Sequence, residues 1–289
     1  KFLISDCSIS YTPSLPIWSA LENTNPNTEQ IALLMGDPFF TNETNRVSET
    51  RGLTDEIGLF SRSINNARLE YSSDEINSIG SLLSNEKIFT NNKATETAFK
   101  NNANSASIVH LSTHSFLYKN NPLILFSNND NKNDGYLEVG EILDLNLNTD
   151  LVVLSSCKSG LGKVDKAEGI VGMQKAFYDA GAKSVVVSLW DVNDKYTSIL
   201  MKYFYSFLSE GQTKSESLRL AKIKFMELDN PNPYYWAAFT FSGNNSAINI
   251  KINNSYLSLL MLIVFLILLT FAILLYYKKY WYGKRTLSV

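Results

Sequence analysis

A chain of 289 residues is long enough for one large domain, or for a domain with an appendage. Its 26 basic and 28 acidic side chains nearly cancel, to a formal charge of -2. Lys and Arg do not cluster with interleaved aromatics, which argues against nucleic-acid binding. The two cysteines, Cys7 and Cys157, cannot build a disulfide framework, and no Cys/His spacing suggests a metal site.

Taken in order, the chain opens on Lys1 with no short apolar run to serve as a signal peptide. That start predicts a longer protein with further N-terminal sequence. Five short apolar runs read as strands: residues 31–35, 108–112, 151–155, 184–189 and 236–241. They lack strict alternation, as expected of strands covered on both faces. Asn-rich stretches at 91–92, 101–102 and 128–133 read as loops, because Asn tolerates turn geometry and competes with helix hydrogen bonds. Three segments have helical spacing. The first runs from 165 or 166 to 180, with Ile170, Met173 and Phe177 on one face and Gly181 as its stop. The second covers 195–208, with Ile199, Tyr203 and Phe207 in one stripe, and the third covers 216–227. Strands alternating with helices predict an α/β fold with a mostly parallel sheet flanked by helices.

The soluble part is expected to span residues 1–243, followed by a polar linker at 244–255. Residues 257–275 carry no charge, and a run of about 20 apolar residues is what crosses a bilayer. Tyr276, Tyr277, Tyr280, Trp281 and Tyr282 follow, with Lys278, Lys279, Lys284 and Arg285 among them. Such an aromatic and basic edge predicts a membrane-spanning helix at 256–277 and a short tail at 278–289. The excess of positive charge after the span puts the tail in the cytoplasm and the soluble domain on the non-cytoplasmic, periplasmic side.

Chemistry concentrates at two strand ends. The 151–155 strand runs into Ser156-Cys157-Lys158-Ser159-Gly160, and the 108–112 strand into Thr113-His114-Ser115. In an open parallel sheet, functional groups gather beyond the carboxyl ends of the strands. A thiol becomes a strong nucleophile when an imidazole takes its proton, so Cys157 and His114 are the candidate nucleophile and base. A free Cys is more commonly a small buried hydrophobe; Gly160 and Gly162 favour an exposed turn instead. His110 reads as a core or supporting residue. His110 and His114 would need a helix to act as a metal pair, and the residues around them favour strand.

The stretches His110-Leu-Ser-Thr-His-Ser115 and Leu151-Val-Val-Leu-Ser-Ser-Cys-Lys-Ser-Gly-Leu-Gly162 resemble the histidine and nucleophile motifs of the CHAT family of caspase-like peptidases, relatives of separases and caspases. The segments 167–169, 180–190 and 234–239 are similar to that family as well, with weaker echoes at 36–38 and 9–14. The resemblance implies a caspase-like three-layer fold over residues 1–243. It implies catalysis by His114 and Cys157, and an oxyanion held by the backbone N–H groups of Ser115 and Cys157. Trp190-Asp191-Val192-Asn193-Asp194 is similar to a family segment that in separases helps receive a basic side chain. Asp191 and Asp194 are therefore candidate substrate-binding residues, although Asp194 also stands where a helix should start. No cofactor is implied, and the partners are a protein substrate and an upstream tetratricopeptide-like region.

Two departures from the family pattern stand out. Ser115 occupies a position usually held by Gly, which is unfavourable if a positive φ is needed there. Lys158, beside the nucleophile, would favour a thiolate. The expected function is a membrane-anchored cysteine endopeptidase. The alternatives are a caspase-like interaction module without turnover and a thiol esterase.

Overall fold

A computed structural model of the chain describes residues 2–12, 14–22, 27–39, 69–118, 121–129, 132–155, 166–253 and 263–275. The chain divides into two units, Lys1–Lys251 and Ile252–Val289. In the first, the described strands are β1 (Ala32–Pro38), β2 (Glu86–Asn91), β3 (Ile108–Ser112), β4 (Ser115–Tyr118), β5 (Asn121–Leu125), β6 (Tyr136–Glu138), β7 (Leu151–Leu154), β8 (Ser184–Ser188) and β9 (Phe239–Gly243). The helices are α1 (Leu15–Glu22), α2 (Ser72–Leu82), α3 (Glu96–Ala103), α4 (Val139–Leu143), α5 (Lys166–Asp179), α6 (Asp194–Ser209), α7 (Lys214–Leu228) and α8 (Pro233–Trp236).

Six strands form the main sheet in the order β2-β1-β3-β7-β8-β9. All neighbours are parallel except β8 and β9. Alternate residues of the central strands enter two separate apolar cores. Leu34, Ile108, Leu151, Val153 and Val186 pack with Ile76 and Ile79 of α2, Phe204 of α6 and Phe225 of α7. Leu33, Met35, Val109, Val152 and Val185 pack with Phe99 of α3 and Phe177 of α5. Helices on both faces explain why the strands read as continuous apolar runs. The result is the three-layer α/β arrangement expected.

The last strand begins at Phe239, where an apolar run from 236 was expected. Asn232 accepts a hydrogen bond from the Tyr234 N–H, and Pro233 opens the short helix α8, which absorbs Trp236. A proline at the first helical position leaves no extra N–H unpaired. The helices α2 and α3, the edge strand β2 and a second, three-stranded antiparallel sheet β4-β5-β6 were not expected.

Of the second unit, residues 263–275 form a helix. Its apolar side chains are exposed, with Phe265 at 60% and Leu274 at 66%. Among the described residues no helix is long and apolar enough to cross a membrane. Residues 256–262, 276–277 and the tail of the expected anchor lie outside the described residues.

Candidate active site

Strands β3 and β7 are parallel neighbours in register, from Ile108 against Leu151 to Leu111 against Leu154. The Ser155 N–H continues this pairing, donating to the Leu111 carbonyl at 2.9 Å. His114 stands three positions after Leu111, and Cys157 three positions after Leu154. Cys157 itself, with Lys158, lies outside the described residues.

The histidine end is held by the second sheet. The Leu125 N–H donates to the His114 carbonyl at 2.9 Å. Thr113 Oγ1 donates to the Leu125 carbonyl at 2.5 Å. The chain therefore leaves β3 already tied to β5, and His114 is buried, at 2% exposure. Ser115 opens β4 and pairs with Ile124. Among the described residues, positive φ outside glycine is confined to Gln30, Asp37 and Asn91. Serine after the histidine thus meets no left-handed backbone here, and the steric objection to it falls away.

Behind the strand ends lies a polar cluster that the sequence did not disclose. Glu75 of α2 is fully buried, as are His110 and Tyr205. His110 Nε2 lies 2.8 Å from Glu75 Oε1, and His110 Nδ1 lies 3.1 Å from the Tyr205 hydroxyl. Ser112 Oγ donates to Glu75 Oε2 at 3.3 Å, and Ser155 Oγ donates to Glu75 Oε1. Burial, with the Glu75 carboxylate nearby, pushes the Tyr205 phenol well above its ordinary range. Tyr205 therefore keeps its proton, and its hydroxyl can pair with Nδ1 as donor or acceptor while Nε2–H donates to Glu75. His110 is a fully paired supporting residue.

Three further bonds join α2 to the same edge. Ser72 Oγ donates to the Ser112 carbonyl at 2.5 Å and accepts from the Asp37 N–H at 2.8 Å. Ser73 Oγ donates to Asp37 Oδ2 at 2.8 Å. Gly36 allows this approach, because a Cβ there would come within 2.6 Å of Ile76 and 2.7 Å of Ser72 Oγ. The signal for this face was present in the sequence. Ser72, Glu75, Ile76 and Ile79 recur at helical spacing, and a carboxylate inside an apolar stripe needs buried partners.

The two acidic candidates sit on the segment after β8. Asn193, not Asp194, caps α6, its side chain accepting from the Lys195 N–H at 3.1 Å. Asp194 is the first helical residue, and its Oδ2 accepts from the Tyr71 N–H at 2.7 Å. That bond joins the start of α6 to the start of α2. Asp191 is half-buried, and its carbonyl accepts from the Tyr234 hydroxyl at 2.8 Å. Trp190 Nε1 donates to the Tyr234 carbonyl at 2.9 Å, which holds the segment against α8. Among the described residues, no group of His, Cys, Asp and Glu is arranged to hold a metal ion.

A family model described as the CHAT domain matches residues 1–244. Over 114 residues the chain is 38% identical to tetratricopeptide repeat protein 28 of Mus musculus and 35% identical to that of Homo sapiens. The matched stretch is 39% of this chain and 5% of each relative. Among solved structures, the chain is similar to the Arg specific cysteine proteinase gingipain R, with a TM-score of 0.45 and 10% identity, over 81% of this chain and 51% of that one. It is similar also to Saccharomyces cerevisiae separase, solved with securin, with a TM-score of 0.47 and 14% identity, over 82% of this chain and 14% of that one.

Proposed function

The chain belongs to the CHAT domain family, and from that premise we propose that it is a membrane-anchored cysteine endopeptidase in which His114 activates Cys157. The observation that carries this reading is the shared register of β3 and β7. Each candidate stands three positions beyond the last paired rung, Leu111 against Leu154. Covalent geometry keeps a residue two positions after Ser155 within about 7 Å of it. Neighbouring strands lie about 4.8 Å apart. These two lengths are compatible with an imidazole and a thiol sharing a proton in one crevice.

In this reading His114 takes the thiol proton and the thiolate attacks the scissile carbonyl. The backbone N–H groups of Ser115 and Cys157 stabilise the oxyanion. The imidazolium then gives its proton to the leaving amine, and water releases the acyl group from sulfur. His114 is buried, so a peptide reaches it only when the ring becomes uncovered. A regulatory tetratricopeptide-like region, of the kind named in the two curated relatives, suits that requirement. Asp191 is the stronger candidate for receiving a basic side chain, since the Asp194 carboxylate already accepts from Tyr71. The apolar run at 257–275 and the exposed apolar helix at 263–275 support a membrane anchor, with the domain on the non-cytoplasmic side.

The test is Cys157 labelling by a peptide electrophile in a Cys7→Ser background, together with cleavage of a peptide library. Labelling at least tenfold faster than for an ordinary thiol, lost in His114→Ala, and cleavage lost in Cys157→Ala are the expected results. Labelling indifferent to His114 overturns the dyad. A reporter fused after Val289 reads the side on which the tail lies; a periplasmic signal overturns the orientation.

A further inference from the structure

The Glu75 carboxylate touches both of the strands from which the two candidate catalytic segments emerge. Through Ser112 Oγ it holds the last residue of β3, and through Ser155 Oγ the first residue after β7. His110 Nε2, one turn of pleat earlier on β3, completes the set of donors. Ser72, three residues before Glu75 on the same helix, grips the Ser112 carbonyl at 2.5 Å. All of these side chains are buried, Ser155 being the most exposed at 7%. A carboxylate surrounded by three donors is well matched in chemistry, because it is the one common side-chain group that accepts at both oxygens and donates at neither. A buried network of this kind rigidifies what it joins when every member is satisfied.

The main-chain ladder alone does not give this rigidity. Its last paired rung is Leu111 against Leu154. Beyond the Ser155 N–H bond to the Leu111 carbonyl, side-chain bonds from one helix join the strands. A core serving stability alone would be served as well by apolar residues of similar volume. Here the polar groups are concentrated at the carboxyl ends of β3 and β7, which immediately precede His114 and Cys157 in the sequence.

We propose that Glu75 is a positioning residue, which joins the ends of β3 and β7 through Ser112 and Ser155 and so sets the spacing of the segments bearing His114 and Cys157. The consequence for reactivity rests on the peptidase reading; the mechanical link does not. Replacing the carboxylate by an amide turns one acceptor into a donor, so at least one of His110, Ser112 and Ser155 faces a donor. Removing the Ser155 hydroxyl cuts only the β7 side of the link and leaves the His110 and Ser112 bonds in place.

The experiment uses the full 289-residue chain in detergent, with Cys7→Ser as background. His110 and His114 are its only histidines, so 15N-histidine NMR reports two imidazoles, assigned through His114→Ala. The variants are Glu75→Gln, Ser155→Ala and Ser155→Thr, the last keeping the hydroxyl. In Ser155→Ala the His114 signals are expected to shift or broaden. The Cys157 alkylation rate is expected to fall about tenfold, with its pH midpoint moving toward that of an ordinary thiol, and Ser155→Thr to restore both. A Glu75→Gln chain that folds is expected to show the same changes. If Glu75→Gln does not fold, Ser155→Ala against Ser155→Thr decides. His114 signals unchanged in Ser155→Ala overturn the proposal. Wild-type alkylation indifferent to His114→Ala overturns the dyad instead, and the NMR comparison still decides the link.

Discussion

Lys183 Nζ lies 2.7 Å from Asp150 Oδ1, with both side chains buried at 7% exposure. The pair joins the turn before β8 to the residue before β7. Asp150 also accepts from the Asn27 N–H through both oxygens, at 3.2 and 3.1 Å. Removing one partner of a buried ion pair leaves a charge without its counterpart, which costs about 3–5 kcal/mol. Lys183→Met is expected to destabilise the fold by about 3 kcal/mol, and the added Asp150→Asn to recover much of that loss. A double-mutant cycle by urea unfolding measures it, and additive losses contradict it.

Gly181 has φ +109, and a Cβ there would lie 2.1 Å from the Leu147 carbonyl oxygen. The same turn carries bonds from the Leu147 N–H to Ala180 and from the Ala182 N–H to Phe177. Backbone strain and overpacking each cost about 1–3 kcal/mol. Gly181→Ala is therefore expected to lower the unfolding free energy by about 3 kcal/mol, read from the denaturant midpoint at unchanged slope.

Burial pushes the Glu96 carboxyl up from 4.5 to about 6 against the opposing effect of Lys100, whose Nζ lies 2.6 Å away. A raised folded value means that the fold binds this proton more tightly than the unfolded chain. The stabilisation is complete below pH 4.5 and is lost as pH rises through about 6. Relative to Glu96→Gln, the wild type is expected to lose up to about 2 kcal/mol between those limits. Parallel stability curves for the two proteins from pH 4.5 to 7 sink this expectation.

Lys214 is depressed instead, from 10.5 to about 8, chiefly by burial. Its Nζ donates to the Asn244 carbonyl at 2.9 Å. The neutral amine is favoured in the fold, so its stabilisation is complete above pH 10.5 and lost as pH falls toward 8. Lys214→Met is expected to remove a rise in stability between pH 8 and 10 and to gain about 2 kcal/mol at pH 7. Urea midpoints across that range provide the measurement.

Asp191 is expected to set the preference for Lys or Arg before the cut. In Asp191→Asn, kcat/KM for basic peptides should fall at least tenfold while neutral peptides are processed at the wild-type rate. A variant that keeps its basic preference moves the role elsewhere.

The strands and the long helices were legible from local signals, apolar runs at β1, β3, β7 and β8 and helical spacing at α5, α6 and α7. In α6, however, the stripe Ile199, Tyr203 and Phe207 is only partly buried, and Leu200, Met201, Phe204, Tyr205 and Leu208 face the core. Ordered motifs from His110 to Phe239 identified the family. The helix α2 was passed over, because Ser72, Ser73, Asp74 and Glu75 at its start resemble a polar loop and mask the helical spacing of Ser72, Glu75, Ile76 and Ile79. Its Ile76 and Ile79 are buried against β1 and β3, which are distant in sequence. Asp194 could be read only as a helix-start residue, because Tyr71, the group it binds, is 123 positions away.

Sequence alone picked out which residues could carry chemistry and assigned His114 and Cys157 to the segments that follow two apolar runs, because motif chemistry and hydrophobic patterning are local properties. Only the tertiary structure decided that β3 and β7 are immediate neighbours in register, that Ser115 sits in unstrained strand backbone, and that Glu75 binds both strand ends. Those facts depend on hydrogen bonds between segments far apart in the chain, and such bonds leave no local periodic trace.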